Sequence, residues 1–486
     1  MAESLRHKAV KGVSWSFADN VSRLGIQFLV GIVLARILSP AEFGIIGMVV
    51  IFTSIANSIV NSGFSSALIQ KKNADNTDYC TVFYFNIVLS FFLYIALYFL
   101  APTISHFFKE PQLVNVTRVL GLVLFINAFA IIQRTILVKR LDFKTQTIIT
   151  LISSVPSGLV GIGMAFNGFG VWSLVVQQLS HQGLNTTFLW IFNRWFPSWH
   201  FSATSFKKLF SFGSKLLVAG LIDTIWQDIY YVVIGKVYSA TTLGYYTRAR
   251  QYEGLFSSNL TSVIQGVSFP VLSSIQDDNV RLKEGYRRII RITMLVTFTC
   301  MLGLAAVAKP LIVLMIGEKW LTSVYFLQIL CFSGMLYPLH SLNLNMLNVK
   351  GRSDLFLKLE IVKKTIGVFP ILLGIFFSIE WMLWGGVVTS FIAYYLNTYY
   401  SGRLINYPIL VQIKDVIPSF MIAMSMAAAV WFITLLPLNF WVMLPLQVLA
   451  GVAIFFVLNE YFKLSEYFEL KQLTFNALSR VKKRIR

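Results

Sequence analysis

Apolar residues along this chain come in long unbroken blocks separated by short polar stretches, which is the pattern of membrane-spanning helices, each needing about 20 mostly apolar residues. Blocks of that length fall near 12–35, 43–69, 79–100, 113–134, 146–166, 169–192 and 212–235. Others follow near 243–272, 290–316, 321–348, 355–377, 381–402, 416–436 and 439–460, which makes about fourteen spans. A β-barrel, the other way to satisfy a backbone in lipid, would show alternating segments of about ten residues instead. The blocks predict an all-α integral membrane protein. The first is of spanning length, carries Asp19, Asn20 and Arg23, and has no small-residue cleavage site before Leu38. It is therefore expected to persist as a helix and not to be removed as a signal.

Composition agrees: 56% of the 486 residues are hydrophobic and only 13% are charged, which excludes an ordinary soluble domain. A net charge of +20 would suggest nucleic acid only if it gathered on one soluble face, and here it alternates between loops. The N-terminal arm, every second loop and the tail hold Lys8, Lys71, Lys72, Arg140, Lys208, Lys215, Arg288, Lys350, Arg403 and Lys483 among others. The opposite side holds only Arg36, Lys109, Lys236, Lys309 and Lys319. An excess of roughly six to one marks the first side as cytoplasmic, so both termini face the cytoplasm and the number of crossings is even. No loop is long enough to fold as a domain. The stretch 465–486 interleaves Phe468, Leu470, Leu473, Phe475 and Leu478 with basic residues, as either an amphipathic helix on the anionic inner leaflet or an unstructured basic tail would.

Shifting the chain against itself by about two hundred residues brings 35–44 onto 235–244, so that Ser39 meets Ser239 and Gly44 meets Gly244. Further on, Leu68-Ile69-Gln70 meets Ser274-Ile275-Gln276, and Leu184-Asn185-Thr186 meets Leu396-Asn397-Thr398. The repeat predicts two six-helix lobes, 1–200 (helices 1–6) and 201–405 (helices 7–12), then two helices in 406–464 and a basic amphipathic tail at 465–486. Six crossings return a chain to its starting side, so the lobes are parallel repeats about an axis along the membrane normal, with a cavity expected between them.

Ionisable side chains within spans are expensive unless they face a cavity or one another, which makes each a site candidate. Asp19 and Arg23, four residues apart, form either an intrahelical pair or part of a cavity wall. Asp223 and Asp228, five apart, lie on different faces, and Arg248 and Arg250 point about 200° from each other. One of these arginines is expected to face the cavity, Arg248 being favoured, while the other meets Glu253. Glu360 precedes Lys363 and Lys364 by three and four residues, so a salt bridge to one leaves the other for an anion. Arg23, Arg248, Arg250, Lys363 and Lys364 are the candidates for binding a pyrophosphate, which basic groups hold in a low-dielectric cavity. Asp19, Asp223, Asp228, Glu253 and Glu360 are candidates for proton or sodium coupling or for structural pairs. His181 and His340 fall within spans, and a lone helix histidine is more often a hydrogen-bonded structural residue than a switch. No metal triad, phosphate loop or H-E-x-x-H helix occurs in the sequence, so no cofactor is expected and energy would come from an ion gradient. Cys80, Cys300 and Cys331 have no metal or disulfide spacing.

Several strings resemble a known family: Lys11-Gly12-Val13-Ser14-Trp15-Ser16, Leu34-Ala35-Arg36-Ile37-Leu38-Ser39-Pro40-Ala41-Glu42-Phe43-Gly44, Ala67-Leu68-Ile69-Gln70 and Arg140-Leu141-Asp142-Phe143-Lys144. Gly168-Phe169-Gly170-Val171-Trp172-Ser173-Leu174 and Leu243-Gly244-Tyr245-Tyr246-Thr247-Arg248-Ala249 complete the set. They are similar to the polysaccharide branch of the multidrug/oligosaccharidyl-lipid/polysaccharide (MOP) transporters, the bacterial lipopolysaccharide and exopolysaccharide flippases. The resemblance implies a two-lobed helical bundle in the bacterial inner membrane that turns undecaprenyl-pyrophosphate-linked sugar units from the cytoplasmic to the periplasmic leaflet by alternating access. It further implies a basic cavity that holds the diphosphate. A monomer is expected, working beside polysaccharide polymerase or ligase machinery, and the spread of basic residues over alternate loops argues against a nucleic-acid partner. Of the candidate residues, Arg248 also lies inside a family-like string. Two other readings stay open. One is a cation-coupled multidrug antiporter of the same architecture, using Asp19, Asp223 or Asp228. The other is a polytopic polysaccharide polymerase or glycosyltransferase, which typically needs a sizeable extramembrane loop that the short outer loops here do not offer.

Overall fold

A computed structural model of the chain describes residues 2–61, 63–71 and 73–485. The side chains of 2–14, 16–18, 212, 215, 216, 219, 473, 477, 478 and 480–485 lie outside the described set, and with them the basic residues of the N-terminal arm, Lys72, Lys215, Leu473, Leu478 and the last basic residues of the tail.

Among the described residues all regular structure is helical. The first nine helices are α1 (Ala2–Ile37), α2 (Pro40–Asn61), α3 (Phe64–Gln70), α4 (Asn76–Phe108), α5 (Leu113–Lys139), α6 (Phe143–Phe166), α7 (Val171–Asn193), α8 (Ala203–Val237) and α9 (Ala240–Ser273). They are followed by α10 (Asn279–Ile316), α11 (Leu321–Gly334), α12 (Tyr337–Val349), α13 (Ser353–Ile366), α14 (Val368–Phe376), α15 (Ile379–Leu404), α16 (Ile409–Phe432), α17 (Phe440–Phe462) and α18 (Ser465–Ile485). The chain divides into two compact units, Met1–Thr247 and Arg248–Arg486, the boundary falling inside α9.

Among the described residues nine helical segments are long and apolar enough to cross a membrane. The other expected spans lie in α7, α8, α9, α13–α14 and α15; α7, for example, carries Gln177, Gln178, His181, Gln182 and Asn185, and the side chains of four α8 residues lie outside the described set. Fourteen crossings therefore stay an expectation of the sequence. Three expected spans are broken helices. The stretch near 43–69 splits into α2 and α3, with Gly63 at φ 88° in the left-handed region. Its backbone lies so close to that of Gly213 that a β-carbon on Gly63 would overlap the Gly213 main chain, which explains glycine at both positions. The stretch near 321–348 divides at Met335-Leu336, after which Pro338 opens α12, as proline is suited to do. The stretch near 355–377 divides at Gly367.

Polar loops supply helix starts. Asp75 and Asp78 form a reciprocal capping box at the head of α4, Asp142 caps α6 through Thr145 N at 3.1 Å, and Asp278 caps α10. Each satisfies backbone donors that a helix leaves orphaned at its N-terminus. In the first unit an aromatic and aliphatic cluster of Phe64, Leu68, Val82, Phe83, Ile132 and Ile136 locks the short α3 onto α4 and α5. Lys139 then donates to the Leu68 and Lys71 carbonyls at 3.1 and 2.7 Å, satisfying the exposed C-terminal end of α3.

The two-hundred-residue repeat is visible inside the first unit. Helices α1 and α8 end at Ile37 and Val237, and α2 and α9 begin at Pro40 and Ala240. A β-carbon on Gly44 would overlap the Ala240 carbonyl, and one on Gly244 would overlap the Pro40 carbonyl. Equivalent residues thus make equivalent contacts, the reciprocal signature of a local two-fold.

In the second unit α10 packs on α16 and α17, and α11 and α12 pack on α15. The tail forms the helix α18, whose first turn is anchored. Glu466, 1% exposed, accepts from Arg291 Nη2 at 2.7 Å and Ser419 Oγ at 3.0 Å. Arg288 pairs with Glu469. Lys471 bonds Glu460, and that bond raises the lysine above its ordinary pKa.

Candidate functional site

The first unit contains a polar cleft of about 500 Å³ between α2 and α8. From α2 come Ser54, Asn57, Ser58 and Asn61, and from α8 come Thr224, Gln227 and Asp228. The spacing explains the placement: 54, 57, 58 and 61 fall on one face of a helix, as do 224, 227 and 228. Asp228 is half-buried and hydrogen-bonded by Ser54. Behind Asn57 a chain of amides runs inward. Gln182 Nε2 donates to Asn127 Oδ1 at 3.1 Å, and Asn127 Nδ2 donates to Asn57 Oδ1, also at 3.1 Å.

The same unit carries the candidates on α1. Arg23 Nη2 donates to Asn20 Oδ1 at 3.0 Å, while Asp19 Oδ1 is buried with no hydrogen-bond partner among the described residues. Arg134, on α5, donates to Asn185 Oδ1 at 2.9 Å. His181 is half-buried on α7. Asp223 lies exposed on a different face of α8 from Asp228.

In the second unit the two arginines of α9 diverge. Arg250 Nη1 is 2.5 Å from Glu253 Oε2. Glu253 is fully buried, and its other oxygen sits against Gly334, where a β-carbon would strike it. Arg248, 5% exposed, donates to Gln251 Oε1 at 2.5 Å, and its guanidinium lies 5.9 Å from the centroid of the buried Trp320 ring. On α13, Lys363 pairs with Glu360 at 2.5 Å, with half-buried Lys364 beside it. His340 bonds Ser390 Oγ at 3.0 Å and Asn397 at 3.4 Å.

Charges stand out in the apolar blocks of the sequence, and the amides of this site do not. Asn57, Asn61, Asn127, Gln182 and Gln227 carry no charge, yet a polar stripe at i, i+3, i+4, i+7 in the otherwise apolar α2 was readable from the sequence.

A multi-helix bundle with polar faces turned toward a cleft between apolar helices is the build of a membrane transporter. The family described as polysaccharide biosynthesis protein matches residues 33–325, and the chain belongs to that family. It is 27% identical over 355 residues to the teichuronic acid biosynthesis protein TuaB of Bacillus subtilis, covering 72% of this chain and 73% of that protein. It is 24% identical to the succinoglycan biosynthesis transport protein ExoT of Rhizobium meliloti, covering 70% of this chain and 69% of that one. Among solved structures it shares the fold of the lipid II flippase MurJ in an inward closed conformation, with a TM-score of 0.72, 16% identity, and coverage of 93% of this chain and 98% of that one.

Proposed function

We propose that this protein turns undecaprenyl-pyrophosphate-linked oligosaccharide units from the cytoplasmic to the periplasmic leaflet of the bacterial inner membrane, for lipopolysaccharide or exopolysaccharide assembly. The observation that carries the reading is the hydrophilic cleft between α2 and α8 in a chain of the polysaccharide biosynthesis family. A sugar head group and two phosphates must cross about 30 Å of hydrocarbon, and polar walls replace the water that the head group would lose. The isoprenoid tail stays in lipid. Basic side chains within helices, Arg248 foremost, with Arg23 and Lys364, counter the diphosphate charge, and Arg250 and Lys363 do so while also paired with Glu253 and Glu360. Proton or sodium entry at Asp19 or Asp228 drives the cycle. The protein works as a monomer with both termini in the cytoplasm and passes its cargo to polymerase or ligase machinery.

The test is leaflet transfer of a fluorescent lipid-linked oligosaccharide in proteoliposomes. Transfer above that of protein-free vesicles is expected. Arg248→Gln and Lys363→Gln should each lower the rate about tenfold or more, the loss of one charge-assisted hydrogen bond, with membrane insertion intact. Wild-type protein that moves no lipid, but confers resistance to cationic drugs on expression, would replace this reading with the antiporter.

A further inference from the structure

We infer that the cleft between α2 and α8 is a sugar subsite, taking the uncharged, hydroxyl-rich glycan of the cargo and not its diphosphate. This rests on the flippase reading and adds to it which part of the cargo the amides of this cleft take.

The lining carries the argument. Asp228 is the one ionisable residue among the described residues of the cleft, and none of those described residues is basic or aromatic. A diphosphate entering here would meet a carboxylate with no cation among the described lining residues to offset it, and like charges at close range in a low-dielectric site repel strongly. A flat organic cation would find the carboxylate but no ring among those residues to stack on. What the walls offer is a set of amides and hydroxyls, donors and acceptors in alternation. Sugar hydroxyls need both at once.

The amides are also oriented. Asn57 Oδ1 already accepts from Asn127, itself held by Gln182, which orients the amide; its NH₂ group is a donor for a ligand, and the second lone pair of Oδ1 remains an acceptor. An ionised Asp228 only accepts, and Ser54 takes part of that capacity. A hydroxyl that accepts from Asn57 and donates to Asp228 satisfies both walls. The volume, about 500 Å³, is that of a small-molecule cleft, which runs about 300–1,000 Å³. On Gly220, one turn before Thr224, a β-carbon would lie 3.6 Å from Ser58 Oγ. The two helices thus approach closely at one level and leave the polar faces open beside it.

The experiment compares two probes on purified full-length protein: lipid-linked repeat units extracted from a host strain, and bare undecaprenyl pyrophosphate. Gln227→Leu, on the open α8 wall, is expected to weaken binding of the glycan-bearing lipid about three- to tenfold, one hydrogen bond's worth, and to leave the bare lipid unchanged. Asn57→Leu should do the same or more, and Asp228→Asn should act in the same direction. Arg248→Gln is expected to weaken both lipids alike. Equal weakening of both by the Gln227 and Asn57 variants, or of neither, overturns the subsite while the flippase reading survives on the Arg248 result. Wild-type protein that binds neither lipid overturns both. Gln227→Leu separates chemistry from folding, since an unchanged melting temperature accompanies the loss only if the side chain serves the ligand.

Discussion

The pair Arg248 and Arg250 shows how two like residues on one helix acquire different work. Their divergence follows from helical geometry, but the assignment follows from what each meets. Arg250 spans to Glu253, whose carboxylate is buried, while Arg248 rests near the face of Trp320 and bonds a neutral amide. Removing one partner of a buried pair leaves an uncompensated charge, which costs about 3–5 kcal/mol when the site is dry. Arg250 is 44% exposed, so solvent screens part of that cost. Arg250→Ala is expected to destabilise the detergent-solubilised protein by about 1–3 kcal/mol. Adding Glu253→Gln should restore most of the loss. Thermal unfolding of the single and double variants reads this out, and an additive double variant would contradict the pairing.

At the scale of elements, broken helices separate what local pattern predicts from what packing imposes. The apolar blocks near 43–69, 321–348 and 355–377 read as continuous spans because hydrophobicity does not report a break. Gly63, the step at Met335-Leu336 and Gly367 interrupt them. Gly63 does so against Gly213, a residue far along the chain. The sequence of the tail suits a surface helix or an unstructured segment alike, and α18 is a helix whose first turn is tied to α10 and α16 through Glu466. Arg291 is 30% exposed and Glu466 only 1% in that pair. Glu466→Ala strands the arginine and opens a buried position. It is expected to release α18, seen as faster proteolytic clipping near Ser465, with α10 and α16 still protected. Unchanged clipping would mean that Arg288 and Glu469 suffice to hold the tail.

For the whole molecule, the alternation of basic loops predicts that both termini share the cytoplasmic side. A fluorescent-protein reporter fused after Arg486 should therefore be bright and a periplasm-dependent phosphatase at the same point inactive. The opposite result would require an odd number of crossings or an inverted topology. The repeat acts at this scale too. The Gly44 and Gly244 contacts with Ala240 and Pro40 turn a faint match of two short strings into a physical two-fold, because each glycine makes room for the other repeat's backbone.

Membrane residence, helical class, the repeat and the family-like strings were all determined by the sequence alone. Lipid leaves a spanning backbone two solutions, helices and closed barrels, and long continuous apolar blocks select the helix. The charged candidates were legible for the same reason, since a charge in an apolar block stands out. Which polar residues meet was decided only by the tertiary structure. Asn57 and Asn127 are neutral, common and seventy residues apart, and the facing walls of the cleft come from α2 and α8. No local pattern specifies such a meeting; it arises when distant helices pack and their polar stripes turn to the same side, away from hydrocarbon.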